Sequence, residues 1–542
     1  MPSTQDTGAP AALRRIIDHL AIRGLRGYIV GGFIRDRLLG RKTSDIDIAV
    51  GGDAVAIARE IAAEMGGTFV LLDEISHIAR VVLTEDSEHS HGGRGAEWHF
   101  DFSSFSEDIE ADLARRDFTI NAMALELRPP TADGIISETL PLGPEGPSMS
   151  EQLRRALIDP YDGQEDLRLG VVRRVDKRIF EVDAVRMLRA VRLAAELDFT
   201  IEPETESLIR SHAGAVTVVA GERIREELLH MLRLPRAAHH LGYMDELGLL
   251  LALIPELAEA RGVDQPTTHF WDVFQHSMQT VCAVEFLIRE GEWQHGSRDM
   301  LAVAPWSDEI ESHLSQEVSR GSNHKILLKL AALLHDVAKP TTKTMDDTGR
   351  ARFIGHTKLG AAMTADILAR LRFSNREIGL AETMVYHHLR PAQMTNGELP
   401  SQRAIYRYFR DTGDAGIDIL LLALADYLAS RGPLVSDDEW KQHCGLMNYI
   451  LAEHANQQAK ILPMKLLNGH DIMRLFGLEP GPRIGSLLAM VYEAQASGEV
   501  SNREEALALV GNELTDTNDE QAEDYRDPQD HEEDRIPDND EG

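Results

Sequence analysis

Residues 31–50 read GGFIRDRLLGRKTSDIDIAV, and this stretch decides the fold of the first part of the chain because it sets two carboxylates, Asp45 and Asp47, into an apolar run. Side chains of a strand alternate between faces, so Asp45 and Asp47 point one way while Ile46 and Ile48 point the other way, into a core. Without a counter-ion, two carboxylates about 5 Å apart repel by ~3 kcal/mol at an effective dielectric of about 20. The pair is therefore expected to hold a divalent cation, Mg²⁺.

Working outward, GYIV (27–30) reads as a strand, FIRDRLLG (33–40) as a short amphipathic helix, DIDIAV (45–50) as a strand and DAVAIAREIAAEM (53–65) as a helix. TFVLL (68–72), HIARVVLT (77–84) and EWHFDFSSF (97–105) read as further strands, with a flexible EDSEHSHGGRGAE segment between the last two. A Pro/Gly-rich linker follows over 128–150, and beyond it the pattern is helical almost throughout. The expected fold class is α+β and multidomain. A small mixed-sheet head spans 26–143, an all-α neck and body 150–262, a second all-α domain rich in histidine 263–435, and a C-terminal helical region 436–512. A disordered acidic tail is expected over 513–542.

A chain of 542 residues exceeds what one core supports, and 43% hydrophobic with 27% charged residues is a globular composition. Cys282 and Cys444 form no disulfide framework and no zinc spacing, which suits a reducing compartment. The start, MPSTQDTGAP, lacks a signal-peptide pattern, and the longest apolar run, IDILLLALADYLAS, is broken by Asp418 and Asp426. The expected location is the cytoplasm, with no membrane partner. A net charge of −33 argues against nucleic acid until its distribution is read. From Glu513 onward, fourteen acids face only Arg526 and Arg535, whereas Arg154–Arg192 carries ten basic residues against seven acids. That local excess leaves RNA binding open.

Three features fall in order in the head: Gly31-Gly32, Asp45-x-Asp47 and a later strand acid, Asp101. Glycines let backbone N–H groups approach a triphosphate, and the aspartates can hold Mg²⁺ between the phosphates and an attacking hydroxyl. Such a site performs phosphoryl transfer by positioning and charge neutralisation. GGFIRDRLLG, SDIDIAV, DLARRDFTINAMA (112–124), DPYDGQEDL (159–167), FEVDAVRMLRAVRLAAELDF (180–199) and GERIREEL (221–228) together resemble the class II tRNA nucleotidyltransferase and bacterial poly(A) polymerase family. The resemblance implies that Asp45 and Asp47 bind catalytic metal with Asp101 as third acid. It also implies that Gly31, Gly32 and Arg35 hold the triphosphate with Asp36 supporting the turn, and that Arg116 and Asn121 contact phosphate or ribose. Asp117 would recognise the ribose hydroxyl, a role that suits a carboxylate acceptor.

The family reads the incoming base with an E-D-x-x-R motif on a helix. Here that motif is Val182, Asp183 and Arg186, with Val182 where the family has Glu. Asp183 and Arg186, three residues apart, are expected on one helix face as base-reading acceptor and donor. Glu222, Arg223 and Glu226 match the motif that supports this helix.

The histidine-rich block holds a second constellation: His276, His335-Asp336, His356, His387-His388 and Asp426. The order resembles the HD phosphohydrolase superfamily, which implies His276, His335, Asp336 and Asp426 as metal ligands, with His356, His387 and His388 as further candidates. Imidazole-carboxylate ligation suits a transition ion such as Mn²⁺, Ni²⁺ or Co²⁺.

Head and HD block together resemble the bacterial CCA-adding enzymes, which implies CMP and AMP transfer from CTP and ATP to a tRNA 3′ end with release of pyrophosphate, alongside a phosphohydrolase activity. The competing readings are a poly(A) polymerase or A-adding enzyme, an HD hydrolase with a non-catalytic RNA-binding head, and a non-enzymatic RNA-binding protein.

Overall fold

The computed structural model describes residues 9–74, 77–84, 97–105, 107–128, 151–266, 269–395, 399–459, 466–496 and 498–523. The expected linker and most of the segment between the strands at 77–84 and 97–105 lie outside these residues. The chain divides into two compact units, one running to Arg261 and including Ile367–Ser374, the other covering Gly262–Asp366 and continuing from Asn375.

The first unit opens on a helix, Ala9–Ile22, that the sequence reading did not anticipate. It buries Leu13, Ile16 and Leu20, and His19 reaches Glu60 and Glu64 on the helix Ala54–Met65. Six strands form one sheet: β1 (Gly27–Val30), β2 (Asp45–Val50), β3 (Thr68–Asp73), β4 (Ile78–Thr84), β5 (Glu97–Ser104) and β6 (Ala124–Glu126), in the order β3-β4-β5-β2-β1-β6. Every neighbouring pair is antiparallel except β2 with β5, where Asp47 lies opposite Asp101 and Asp45 opposite His99. The alternation read from the sequence holds: Ile46, Ile48, Phe100 and Phe102 are fully buried on the other face. Asp53 caps the helix Ala54–Met65 by accepting from the Val55 and Ala56 N–H groups, and Gly66 ends it in the left-handed region.

Beyond the sheet, the helix Gly163–Leu169 docks on the short turn Thr119–Asn121, where the Thr119 hydroxyl donates to Asp166 at 2.7 Å. An ideal Cβ on Gly163 would lie 2.3 Å from the Thr119 carbonyl oxygen, so only glycine permits this approach. Gly163→Ala is expected to lower the unfolding free energy by about 1–3 kcal/mol. Chemical denaturation checks this, and an unchanged midpoint would show that the backbone yields at no cost. The helices Val185–Leu197 and Gly221–Arg233 pack together beside this turn.

The second unit is built around the helices Val273–Leu287, His324–Leu334, Asn375–His387 and Gly416–Arg431. His324–Leu334 is almost wholly buried, because an 11-residue run broken only by its first two residues and Lys329 has apolar groups on all sides. Toward the C-terminus, Leu467, Ile472, Leu487, Val491, Ala494, Val500 and Val510 form a smaller core. From this core the helix Arg503–Glu523 runs into the first residues of the acidic tail. Val510 anchors it, Thr515 donates to the Gly511 carbonyl, and a helix once nucleated extends one hydrogen bond per residue. The rest of the acidic tail lies outside the described residues. Among those residues, no helix is long and apolar enough to cross a membrane.

Candidate active site and metal centre

At the C-terminal end of β1 the backbone turns at Gly31, with φ of 74°, into the helix Gly32–Leu38. A Cβ there would sit 2.9 Å from Arg116 Nη1 and 3.0 Å from Asp47 Oδ2, so the glycine is needed for space as well as conformation. Arg35, nearly buried, donates to both oxygens of Asp36 at 2.9 and 3.0 Å and to Asn121 Oδ1 at 2.9 Å. Arg116 is tied to Asp112 at 3.1 Å. Gly31, Gly32, Arg35, Asp47, Arg116, Asp117 and Asn121 share a cavity of about 330 Å³. Asp45, 61% exposed, lines an adjoining one of about 430 Å³ that also takes in Gly32, Arg35 and Asp47.

Burial, opposed by Arg116 and reinforced by the carboxylates of Asp101 and Asp45, pushes the Asp47 carboxyl up to about 6. Excess negative charge of this kind fits a divalent cation. Asp101 is held from the side by Arg80 on β4, which donates to both carboxylate oxygens at 2.7 Å. His99 Nδ1 lies 2.8 Å from Asp45 Oδ1.

Two helices supply residues that the sequence reading did not single out. Arg189 bridges Asp117 (3.0 Å) and Glu227 (3.0 Å), and Arg192 reaches the other Glu227 oxygen at 2.6 Å. Arg189, Arg192, Glu227 and His230 line the same cavity as the glycines. Burial raises the Asp117 carboxyl, yet Arg189, the Asn121 amide and the Phe118 N–H outweigh it and leave the group below its ordinary value. A three-residue spacing does place Arg186, Arg189 and Arg192 on one helix face, and this was the signal available.

The base-reading expectation is corrected in one respect. The helix Ile179–Val182 ends before Asp183, whose backbone is extended, and a new helix begins at Val185. The Asp183 carboxylate accepts from Arg223 at 3.0 and 2.7 Å, so an acid at the break is held by a cation from the helix Gly221–Arg233. Arg186 lies 3.9 Å from Asp183 and donates to the Arg115 carbonyl at 3.0 Å. Neither residue is among those lining the two cavities, and Val182 is 76% exposed.

In the second unit, His276 Nε2 lies 3.1 Å from His335 Nε2, 3.3 Å from Asp336 Oδ2 and 3.0 Å from Asp426 Oδ1. His335 lies 3.1 Å from Asp336, and Lys339 Nζ lies 2.6 Å from the same carboxylate. His356 and His388 approach the other Asp336 oxygen at 3.6 and 4.0 Å. That oxygen is buried without a hydrogen-bond donor among the described residues. Burial and His335 push His388 down to about 4, leaving it a neutral donor. Burial would lower His335 too, but Asp336 and Asp426 raise it to about 10. The donor set fits a divalent cation. His387 stands apart: it is the last residue of the helix Asn375–His387, whereas His388 lies in the turn that follows, and its ring meets Tyr386 edge-on at 4.7 Å. His269 and Lys339, not expected from the sequence, line a cavity of about 860 Å³ with His356, His388 and Asp426.

Family models match along the chain: the Poly A polymerase head domain over 27–173, the probable RNA and SrmB-binding site of polymerase A over 198–261, the HD domain over 298–431, and a tRNA nucleotidyltransferase domain 2 over 446–510. The chain is 34% identical to the A-adding tRNA nucleotidyltransferase of Deinococcus radiodurans, covering 89% of this chain and 94% of that one. It is 31% identical to the CC-adding tRNA nucleotidyltransferase of Geobacter sulfurreducens, covering 92% and 94%. Among solved structures it resembles the Thermotoga maritima CCA-adding enzyme complexed with tRNA, at a TM-score of 0.53 and 21% identity over 93% of this chain and 94% of that one.

Proposed function

The chain belongs to the tRNA nucleotidyltransferase family, and on that premise we propose that it builds the CCA end of tRNA by transferring CMP and AMP from CTP and ATP to the 3′-hydroxyl, releasing pyrophosphate. The observation that carries this reading is the single cavity joining Gly31, Gly32, Arg35, Asp47, Arg116, Asp117 and Asn121. In it the glycine backbone and the Asp36-braced Arg35 receive the triphosphate, Arg116 and Asn121 contact phosphate or ribose, and Asp117 accepts from the ribose hydroxyl. Asp45 and Asp47, with Asp101 beside them, hold Mg²⁺, which when bound neutralises charge developing on the transferred phosphoryl group. Asp183, braced by Arg223, and Arg186 read the base edge from the helix junction.

A narrower reading, addition of the terminal A alone, is favoured by the A-adding relative at 34% identity. In the second unit, His276, His335, Asp336 and Asp426 hold a transition ion such as Mn²⁺, Ni²⁺ or Co²⁺, with His356 and His388 flanking it, and support hydrolysis of a phosphoester.

One assay separates these readings. Purified protein with Mg²⁺ and each labelled NTP is offered tRNAs ending before the CCA, after C and after CC. CMP addition followed by one AMP is expected. AMP on the CC end alone establishes the narrower reading, while long A runs or no incorporation overturn both. Asp336→Ala should leave incorporation intact and remove metal-dependent phosphatase activity; loss of neither would sink the hydrolase assignment.

A further inference from the structure

A second imidazole-carboxylate cluster lies in the same unit, away from the HD residues. His313 sits near the end of the helix Asp308–Ser315, His324 opens the helix His324–Leu334, and Asp418 stands in the first turn of Gly416–Arg431. His313 Nε2 and His324 Nδ1 converge on one oxygen, Asp418 Oδ2, at 3.2 and 2.7 Å, with ring centroids 4.2 Å apart. One ligand atom from each of the three residues lies within 4.8 Å of the others.

A hydrogen-bonded triad alone leaves this arrangement incomplete. Asp418 is fully buried, and among the described residues its Oδ1 has no hydrogen-bond partner. A buried acceptor left unsatisfied is costly, because it gave up its hydrogen bonds to water and gained none in return. The nearby Tyr408 hydroxyl donates to the Gly416 carbonyl at 2.6 Å instead, and among the described residues no lysine or arginine pairs with Asp418. Two imidazoles and a buried carboxylate with one unpartnered oxygen form a donor set that a divalent cation would complete.

We propose that His313, His324 and Asp418 form a metal site for a divalent transition ion of the zinc type, separate from the HD centre. Two nitrogens and one carboxylate oxygen are a donor set that zinc takes with solvent as fourth ligand. His313, with 13% of its side chain exposed, is the rim of the site, so solvent enters on its side. The site is distinct from the HD residues because His324 and His335 are eleven helical residues apart, about 16 Å, and Asp418 and Asp426 eight apart, about 12 Å. Its structural effect is to tie the hairpin of Glu317–Ser319 and Ser322–Asn323, which joins His313 to His324, to the start of Gly416–Arg431.

The test uses the full chain with the HD centre disabled by Asp336→Asn, loaded with Zn²⁺, dialysed and measured for zinc by mass spectrometry. Adding His313→Gln at the rim is expected to remove one zinc per chain, and His313→Cys, which keeps a ligand, to restore it. Co²⁺ substitution should give a tetrahedral visible band in the Asp336→Asn chain that disappears with His313→Gln. Equal zinc content in the Asp336→Asn chain with and without His313→Gln overturns the site, as does a cysteine variant that folds but recovers no metal.

Discussion

Asp45→Ala and Asp47→Asn are each expected to lower nucleotide incorporation about a thousand-fold or more in the tRNA assay, with the fold intact. A metal ion that neutralises transferring phosphate is worth several kcal/mol in the transition state, and each 1.36 kcal/mol is tenfold in rate. Asp45 is 61% exposed, so its loss should shift stability by no more than about 0.5 kcal/mol. Asp47→Asn removes a carboxyl that burial and two neighbouring acids already push up to about 6, so this variant should melt no lower than the parent. Unchanged incorporation in either variant would move the chemistry away from the paired acids of β2.

The second large effect is on stability. Arg189 is the cation between two carboxylates, Asp117 and Glu227, each buried to within a tenth of its surface. Arg189→Ala leaves Asp117 without its cation, although Glu227 keeps Arg192. Removing one partner of a buried pair costs about 3–5 kcal/mol. The lower end, about 3 kcal/mol, is expected here, because Arg189 is itself 35% exposed and partly screened. Urea unfolding measures it. Arg189→Lys should recover only part, since one ammonium cannot present the fork that reaches both acids. A loss under about 0.5 kcal/mol would reduce the bridge to the worth of a surface pair. The Asp117 carboxyl lies below its ordinary value of 3.8, so its stabilising share is present at neutral pH and is lost as the pH falls through its lowered value.

The strands of the head were legible because their burial follows a period of two: Ile46, Ile48, Phe100 and Phe102 all vanish into the core on the face opposite the aspartates. The short motifs were legible for a related reason, since Gly31, Asp47, Arg116, Asp117 and Asn121 belong to the same unit and their spacing is set by the sheet. What the sequence did not show were partners drawn from distant segments. Arg80 meets Asp101 across β4 and β5, and Arg189 meets Asp117 over 72 positions. No local period encodes such pairs. The break at Asp183 was missed because Glu181–Arg186 has the composition of one continuous helix, and only the pull of Arg223 on the Asp183 carboxylate marks the junction. His387 and His388 were not separable in sequence for a similar reason, since two adjacent histidines look equivalent until the helix is seen to end between them.

The parallel β2–β5 pair sets the order in which the acidic face of the sheet comes into being. β1 and β2 lie close in the chain, but β5 begins 52 residues after β2 begins, and the Asp47–Asp101 juxtaposition exists only once that loop closes. Closure of a loop of this length costs about 3.5 kcal/mol in chain entropy, recovered only as the strands zip together. During synthesis, therefore, the acidic cluster is assembled late, after β5 has left the ribosome. A nascent chain halted before Glu97 carries both aspartates of β2 but lacks the strand that aligns them with the third acid, so chain growth itself acts as a timer on the site.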